Sequence, residues 1–211
     1  MKKYDYLFID LDGPILEGKF RHYNCYKDII GCYGGTPLDI DEYWNLIRNM
    51  VKRDIVLKKS FFQGTYDDFL TMWMENIEMP EYLQFDYLKP DVDKTLNNFK
   101  NYFEKIYLVT MRNNDKNLLR QLKDLAIVNF FDEIIICHST QENPKYSALK
   151  ELRFNKALVI GDTEEDTKTA KLLGVKCIGI TNGLRDKNYL DADYYADEIC
   201  NIEIDTICSE D

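Results

Sequence analysis

Five short runs in this chain are mostly apolar along their whole length instead of alternating, and that pattern narrows the fold more than any other feature. They are Tyr4–Ile9, Lys105–Thr110, Glu133–His138, Ala157–Gly161 and Val175–Ile180. A strand with one wet face alternates polar and apolar residues. A strand covered on both faces does not, and such strands belong to parallel sheets with helices packed on either side. Helical stripes separate the later runs. Asp91–Phe103 places Val92, Leu96 and Phe99 on one face, and Asn114–Leu125 does so with Leu118, Leu122 and Leu125. A third helix is expected from Pro144 and a fourth after Asp162. The alternation predicts βαβ units and an α/β fold, a Rossmann-like open parallel sheet.

One segment interrupts the pattern. Between Gly13 and about Asp86 there is no convincing buried strand. Three helical stretches are expected instead, near His22–Tyr33, Asp41–Arg53 and Tyr66–Ile77, with the Gly34-Gly35 turn and Pro37 between the first two. The stripe Phe69, Met72, Trp73 and Ile77 reads as packing core. The division that follows is an α/β core domain of residues 1–14 and 88–211 with an inserted helical domain of residues 15–87, Pro90 marking the return. The acidic end, Ser209-Glu210-Asp211, is expected to fray.

Charge excludes some partners. The 211 residues carry 27 Lys+Arg against 37 Asp+Glu, a net charge of −10, with no basic block longer than two. A phosphate-backbone binder needs a basic face, so no nucleic-acid partner is expected. The first apolar run, Tyr6–Ile9, stops at Asp10, short of the roughly 7–15 residues of a signal peptide or the about 20 of a membrane span. The six cysteines form neither a CxxC pair nor a zinc-spaced Cys/His cluster and read as thiols. A cytoplasmic protein with no membrane partner is expected; the oligomeric state stays open.

Four polar features fall where strands should end, the edge at which open α/β sheets place ligands. Asp10-Leu11-Asp12-Gly13 follows the first strand, and residues i and i+2 of an extended chain point the same way. A plain Asp-Gly turn is the blander alternative. Thr110 ends the second run. Lys145 stands at a helix start, where the helix dipole disfavours a cation. Gly161-Asp162-Thr163-Glu164-Glu165-Asp166 ends another strand and opens a helix, with ordinary capping by Asp162 as its alternative. Together Asp10, Asp12, Asp162 and Asp166 form an oxygen-only set that repels itself unless protonated or holding a hard cation, Mg²⁺ before Ca²⁺ or Zn²⁺. A metal, a lysine and a threonine hydroxyl suit a phosphoryl group, and a carboxylate there can attack phosphorus.

In these four motifs and their order, from Tyr6 to at least Ile180, the sequence resembles the haloacid dehalogenase (HAD) superfamily of phosphohydrolases, and its insert resembles the small α-helical cap of that superfamily's C1 type. The resemblance implies a HAD-like core and a Mg²⁺-dependent phosphatase for a small phosphorylated metabolite, similar to phosphoglycolate phosphatases. It implies Asp10 as nucleophile and Asp12 as acid, then base. Thr110 and Lys145 would hold phosphoryl oxygens. Asp10, the backbone carbonyl of Asp12, and Asp162 would bind Mg²⁺, with Asp166 supporting the metal or orienting Lys145. Two departures stand out: Pro14 follows Asp12-Gly13 where relatives carry Thr or Val, and Pro144 precedes the lysine instead of following it, leaving Lys150 and Lys156 as alternatives.

Asp12 separates the readings within the superfamily. Dehalogenases and phosphonatases lack this second aspartate, so phosphate-ester chemistry is expected, with a β-phosphoglucomutase-like phosphomutase as the alternative. A non-catalytic phosphate-binding or signalling module, such as a receiver domain, is the alternative of a different class, but a receiver has its acid pair and phosphorylated Asp in another order and no helical insert. Arg112, two residues past Thr110, is a candidate substrate contact. Arg21, His22, Arg53, Lys58 and Lys59 are the insert's positive candidates and read first as solvated surface charges, while neither His22 nor His138 has a visible carboxylate partner.

Overall fold

The computed structural model describes residues 4–138 and 143–209; the expected fraying of residues 210–211 lies outside them. In chain order the strands are β1 (Tyr4–Ile9), β2 (Leu16–Glu17), β3 (Tyr87–Leu88), β4 (Phe103–Thr110), β5 (Glu133–Ile136), β6 (Ala157–Gly161), β7 (Lys176–Ile180) and β8 (Tyr194–Ala196). The helices of the first half are α1 (Lys19–Cys32), α2 (Ile40–Arg48), α3 (Arg53–Lys59), α4 (Tyr66–Asn76) and α5 (Pro80–Leu83). Those of the second half are α6 (Val92–Phe99), α7 (Asp115–Asp124), α8 (Pro144–Leu149), α9 (Glu164–Leu173) and α10 (Ile204–Ile207).

Six strands form one parallel sheet in the order β5-β4-β1-β6-β7-β8. The unbroken apolar runs are explained by its two covered faces. Leu7, Ile9, Ile106, Leu108, Leu158 and Ile160 point to one side, against Val92, Leu96 and Phe99 of α6 and Leu118 and Leu122 of α7. Phe8, Tyr107, Val109 and Val159 point to the other, where Leu149 of α8 and Ala170 of α9 pack. The sheet winds outward in both directions from β1, so its topological switch lies between β1 and β6.

The chain divides into two compact units, residues 1–16 with 88–211, and residues 17–87. The chain crosses between them at β2 and β3, which pair as a two-stranded ribbon. The second unit is helical. Its core stacks Tyr26 of α1 on Tyr43 of α2 at 4.1 Å, with the Tyr26 hydroxyl 2.6 Å from Ser60 Oγ. Thr65 and Asp68 form a capping box that starts α4.

Four expectations need correction. The stretch 41–53 is two helices, because Asn49 caps α2 and Met50 takes a left-handed φ of 53°. The helix expected to reach Phe103 stops at Phe99, since Phe103 already belongs to β4. The strand expected over 133–138 ends at Ile136. Finally, β8 was not foreseen: Tyr194 and Ala196 are only partly buried and Tyr195 is exposed, so no buried apolar run marks it.

No disulfide joins the six cysteines, and no helix among the described residues is long and apolar enough to cross a membrane. Cys25, Cys137, Cys177 and Cys208 are buried, Cys32 and Cys200 exposed. Burial pushes the Cys25 thiol up to about 12 and that of Cys137 up to about 11. A thiol reagent at mild alkaline pH should therefore titrate Cys32 and Cys200 quickly and the other four only in denaturant. A fast phase of three or more thiols would contradict this packing.

Candidate active site

Strand register decides which side chains meet. Ile9 of β1 pairs with Leu108 of β4 and with Ile160 of β6, so Asp10, Thr110 and Asp162 leave the sheet within two positions of one another, at its C-terminal edge. The amide of Asp10 still donates to the Ile160 carbonyl at 2.9 Å, which fixes its height in the sheet. Beyond it the chain turns back at once. The Gly13 amide donates to the Leu16 carbonyl and the Leu16 amide to Leu11, both at 2.9 Å. Gly13 has a φ of 94°, and any side chain there would also overlap the Asp162 carboxylate.

Lys145 sits in the middle of the carboxylates. Asn143 caps α8 by accepting from the Tyr146 amide at 2.7 Å, and its amide nitrogen donates to the Glu165 carbonyl of α9 at 3.0 Å. That tie aims the first turn of α8 at α9. The Lys145 ammonium, 3% exposed as a residue, lies 3.0 Å from Asp10 Oδ2 and 2.5 Å from Asp166 Oδ1. The other oxygen of Asp166 accepts from the Thr163 amide at 3.1 Å and hydroxyl at 2.6 Å, a capping box for α9. Thr163, not Asp162, is thus the cap of that helix. Lys150 and Lys156 stand elsewhere, near the rings of Tyr146 and Tyr4.

Asp10, Asp162 and Asp166 are all buried, and each places a carboxylate oxygen within 4.8 Å of the others. Burial pushes the Asp10 carboxyl up to about 7; Lys145 opposes this, while Asp166 and Asp12 add to it. Burial, then the neighbouring Asp10 and Asp166, hold Asp162 well above the usual carboxylate range. Burial alone would lower the Lys145 ammonium, but Asp10 and Asp166 outweigh it and raise its pKa. Asp162 Oδ2 accepts from the Leu184 amide at 2.5 Å, whereas its Oδ1 is buried with no hydrogen-bond partner. An orphaned carboxylate oxygen facing two more carboxyls suits a hard divalent cation, so the donor set fits Mg²⁺.

Three sequence expectations change in detail, those for Asp12, Arg112 and Arg21. The side chain of Asp12 lies outside the carboxylate triad. Both its oxygens are 2.7 Å from Arg112, Nε on Oδ2 and Nη2 on Oδ1. Arg112 is therefore buried on Asp12 instead of standing open at the mouth of a cleft. In the helical unit Arg21 is no surface charge either, since it is buried 3.2 Å from Asp86. Arg53 lies over the rings of Trp73 and Phe69, Lys59 pairs with Glu42 at 2.8 Å, and the His22 ring meets Trp44 and Trp73 edge-on. Lys58 is exposed.

Sequence reasoning missed the segment that follows β7. Leu184 supplies the amide to Asp162, and Gly183 passes so close that a side chain there would collide with the same carboxylate. The signal was Asn182-Gly183, a turn pair directly after a buried strand on the ligand edge.

Residues 6–180 match the family model described as haloacid dehalogenase-like hydrolase. No protein among the curated ones matches the chain. Among solved structures it is similar to a predicted phosphoglycolate phosphatase from Haemophilus somnus (TM-score 0.73, 19% identity, 98% of this chain and 99% of that one). It also resembles a provisionally named β-phosphoglucomutase from Thermotoga maritima (TM-score 0.67, 17% identity, 98% and 99%). A provisionally named hydrolase of the family from Bacillus subtilis, described as bound to magnesium, gives a TM-score of 0.65 at 17% identity over 99% and 100%. At these identities the likeness concerns the fold.

Because Gly183 is pressed against Asp162, Gly183→Ala should destabilise the protein by about 1–3 kcal/mol, the ordinary cost of overpacking. Most of that loss should vanish in an Asp162→Gly background, where both the obstructing carboxylate and the Cβ 2.5 Å from the new methyl are gone. Urea denaturation of the four proteins measures this, and strictly additive losses would show that the contact is not the cause.

Proposed function

This chain belongs to the haloacid dehalogenase-like hydrolases, and from that premise we propose that it hydrolyses small phosphate monoesters with Mg²⁺ through an aspartyl-phosphate. The observation that carries the proposal is the buried triad of Asp10, Asp162 and Asp166 around Lys145, at the switch point of the sheet. The insert, residues 15–87, is read as the cap of such an enzyme and the remainder as its catalytic domain. Thiols without disulfides suit a reducing compartment, so we place the enzyme in the cytoplasm.

Asp10, Asp162 and the Asp12 carbonyl would hold Mg²⁺, with Asp166 supporting it. The cation, when bound, supplies positive charge for the phosphoryl oxygens and keeps Asp10 ionised. Asp10 attacks phosphorus, its oxygen forming a bond as the ester P–O bond breaks. Asp12 gives its proton to the departing alkoxide. Asp12 then takes a proton from water as that water attacks phosphorus, breaking the bond to Asp10 and releasing phosphate. Thr110 and Lys145 hold phosphoryl oxygens throughout. Lys145 is oriented by Asp166, which is itself locked by the Thr163 capping box. The forked contact with Arg112 assigns that arginine to the orientation of Asp12 more directly than to the substrate.

Phosphate release from 4-nitrophenyl phosphate tests the proposal. Wild type should turn it over only with Mg²⁺, and Asp10→Asn should lose several orders of magnitude in kcat. Activity that survives Asp10→Asn or ignores the metal removes the reading. Isomerisation of a sugar phosphate without net release of phosphate would move the assignment to a mutase.

The role of Arg112 has its own test. If the guanidinium works through Asp12, Arg112→Ala should lower kcat in the wild-type background but add little to Asp12→Asn. Losses that multiply in the double variant would instead make Arg112 a substrate ligand.

A further inference from the structure

The segment Thr181–Arg185, which holds Asp162 from outside, is fastened along its length. The Thr181 hydroxyl donates to Asp197 at 2.6 Å, and Arg185 forks onto Glu164 at 2.7 and 3.1 Å. Asn182 is gripped at both ends. Its side-chain amide donates to Glu198 Oε1 at 2.8 Å, and its carbonyl accepts from the Lys89 ammonium at 3.1 Å. The same ammonium lies 3.4 Å from Glu198 Oε1, which closes a three-residue clamp. Lys89 is 4% exposed, and its backbone amide donates to the Ile15 carbonyl at 2.9 Å, so its base is fixed as well.

A buried ammonium is costly to keep unless it is paired and hydrogen-bonded, as this one is by Glu198 and the Asn182 carbonyl. It is spent on a backbone carbonyl one residue before Gly183 and two before Leu184, the two residues that press on and hydrogen-bond to the Asp162 carboxylate. Leu184 fixes one oxygen of Asp162 and leaves the other, Oδ1, buried and without a partner. Removing the ammonium would free the Asn182 carbonyl and leave the Glu198 carboxylate, whose Oε2 is already buried without a partner, short of its countercharge.

We propose that Lys89, acting with Glu198 through Asn182, is a positioning residue for the cation site: it sets the height of the 182–184 loop and thereby the orientation of Asp162. The inference rests on the Mg²⁺ reading of the carboxylate triad. Lys89 acts on the cation site through the Asn182 carbonyl and the loop that follows it. Its effect therefore belongs in the affinity for the metal, not in the chemical step.

The test is Mg²⁺ titrated into the full-length protein by calorimetry, with the Mg²⁺ dependence of phosphate release measured alongside. Outer residues that orient metal ligands are worth about 10- to 100-fold in affinity, so Lys89→Met should weaken Mg²⁺ binding at least about tenfold. The kcat at saturating Mg²⁺ should stay nearly unchanged. Glu198→Gln should weaken binding in the same direction by less, and Lys89→Arg should recover much of the loss. A folded Lys89→Met protein that binds Mg²⁺ as tightly as wild type overturns the proposal. Should Lys89→Met fail to fold, Glu198→Gln decides on the same criterion. Wild type that binds no Mg²⁺ overturns the cation reading itself, a different result from variants that bind it equally well.

Discussion

The site depends on one arrangement, the Lys145 ammonium held between Asp10 and Asp166 inside the protein. Two unit charges about 4 Å apart attract by about 4 kcal/mol at the effective dielectric of a protein near its surface, and burial strengthens this. Three buried carboxylates around one ammonium still leave an excess of negative charge. That excess must be met, and only two things can meet it: a proton or a cation. Burial drives the Asp10 carboxyl up to about 7, the direction expected where carboxylates crowd together. A divalent ion would satisfy the same deficit and leave Asp10, the proposed nucleophile, ionised. The charge count of the cluster is thus what makes a divalent cation its proposed occupant.

The fold supplies this cluster through register. Parallel strands all end on one edge, and pairing Ile9 with both Leu108 and Ile160 brings three strand ends level. Helices α8 and α9 then add Lys145 and Asp166 from one face of the sheet, joined by the hydrogen bonds of Asn143 to Glu165 and Thr169. Glycine is required where loops close over Asp162. Gly13 and Gly183 approach the same carboxylate from two different segments, so neither loop can carry a side chain there.

Much of this was legible because a doubly covered strand writes itself as an unbroken apolar run. Strands β1, β4, β6 and β7 could be read within one or two residues at either end. Strand β8 could not, since Tyr194, Tyr195 and Ala196 sit on the sheet's edge among aspartates, where pairing by backbone leaves no hydrophobic signature. The break between α2 and α3 was hidden for a similar reason. Nothing in Asn49-Met50-Val51 announces a left-handed methionine. Among the candidate site residues, Asp10 and Asp162 could be singled out by their place just after strand ends, and Asp166 by its spacing from Asp162 in the first turn of a helix. Lys145 was not distinguishable by composition from any exposed lysine; its burial between two carboxylates is a tertiary fact.

Arg112 shows where sequence reasoning stops. Its position two beyond a strand-terminal threonine made it a candidate, but position alone cannot say which partner a guanidinium chooses. A forked guanidinium takes a carboxylate that presents both oxygens side by side, as Asp12 presents Oδ1 and Oδ2 to Arg112. The same logic separates the arginine from the lysine. The planar fork of Arg112 fixes the plane of one carboxylate, whereas the compact ammonium of Lys145 is shared between two. Each cation thus stands where its own geometry is useful. Exchanging Arg112 and Lys145 would keep the net charge of the site while destroying its order.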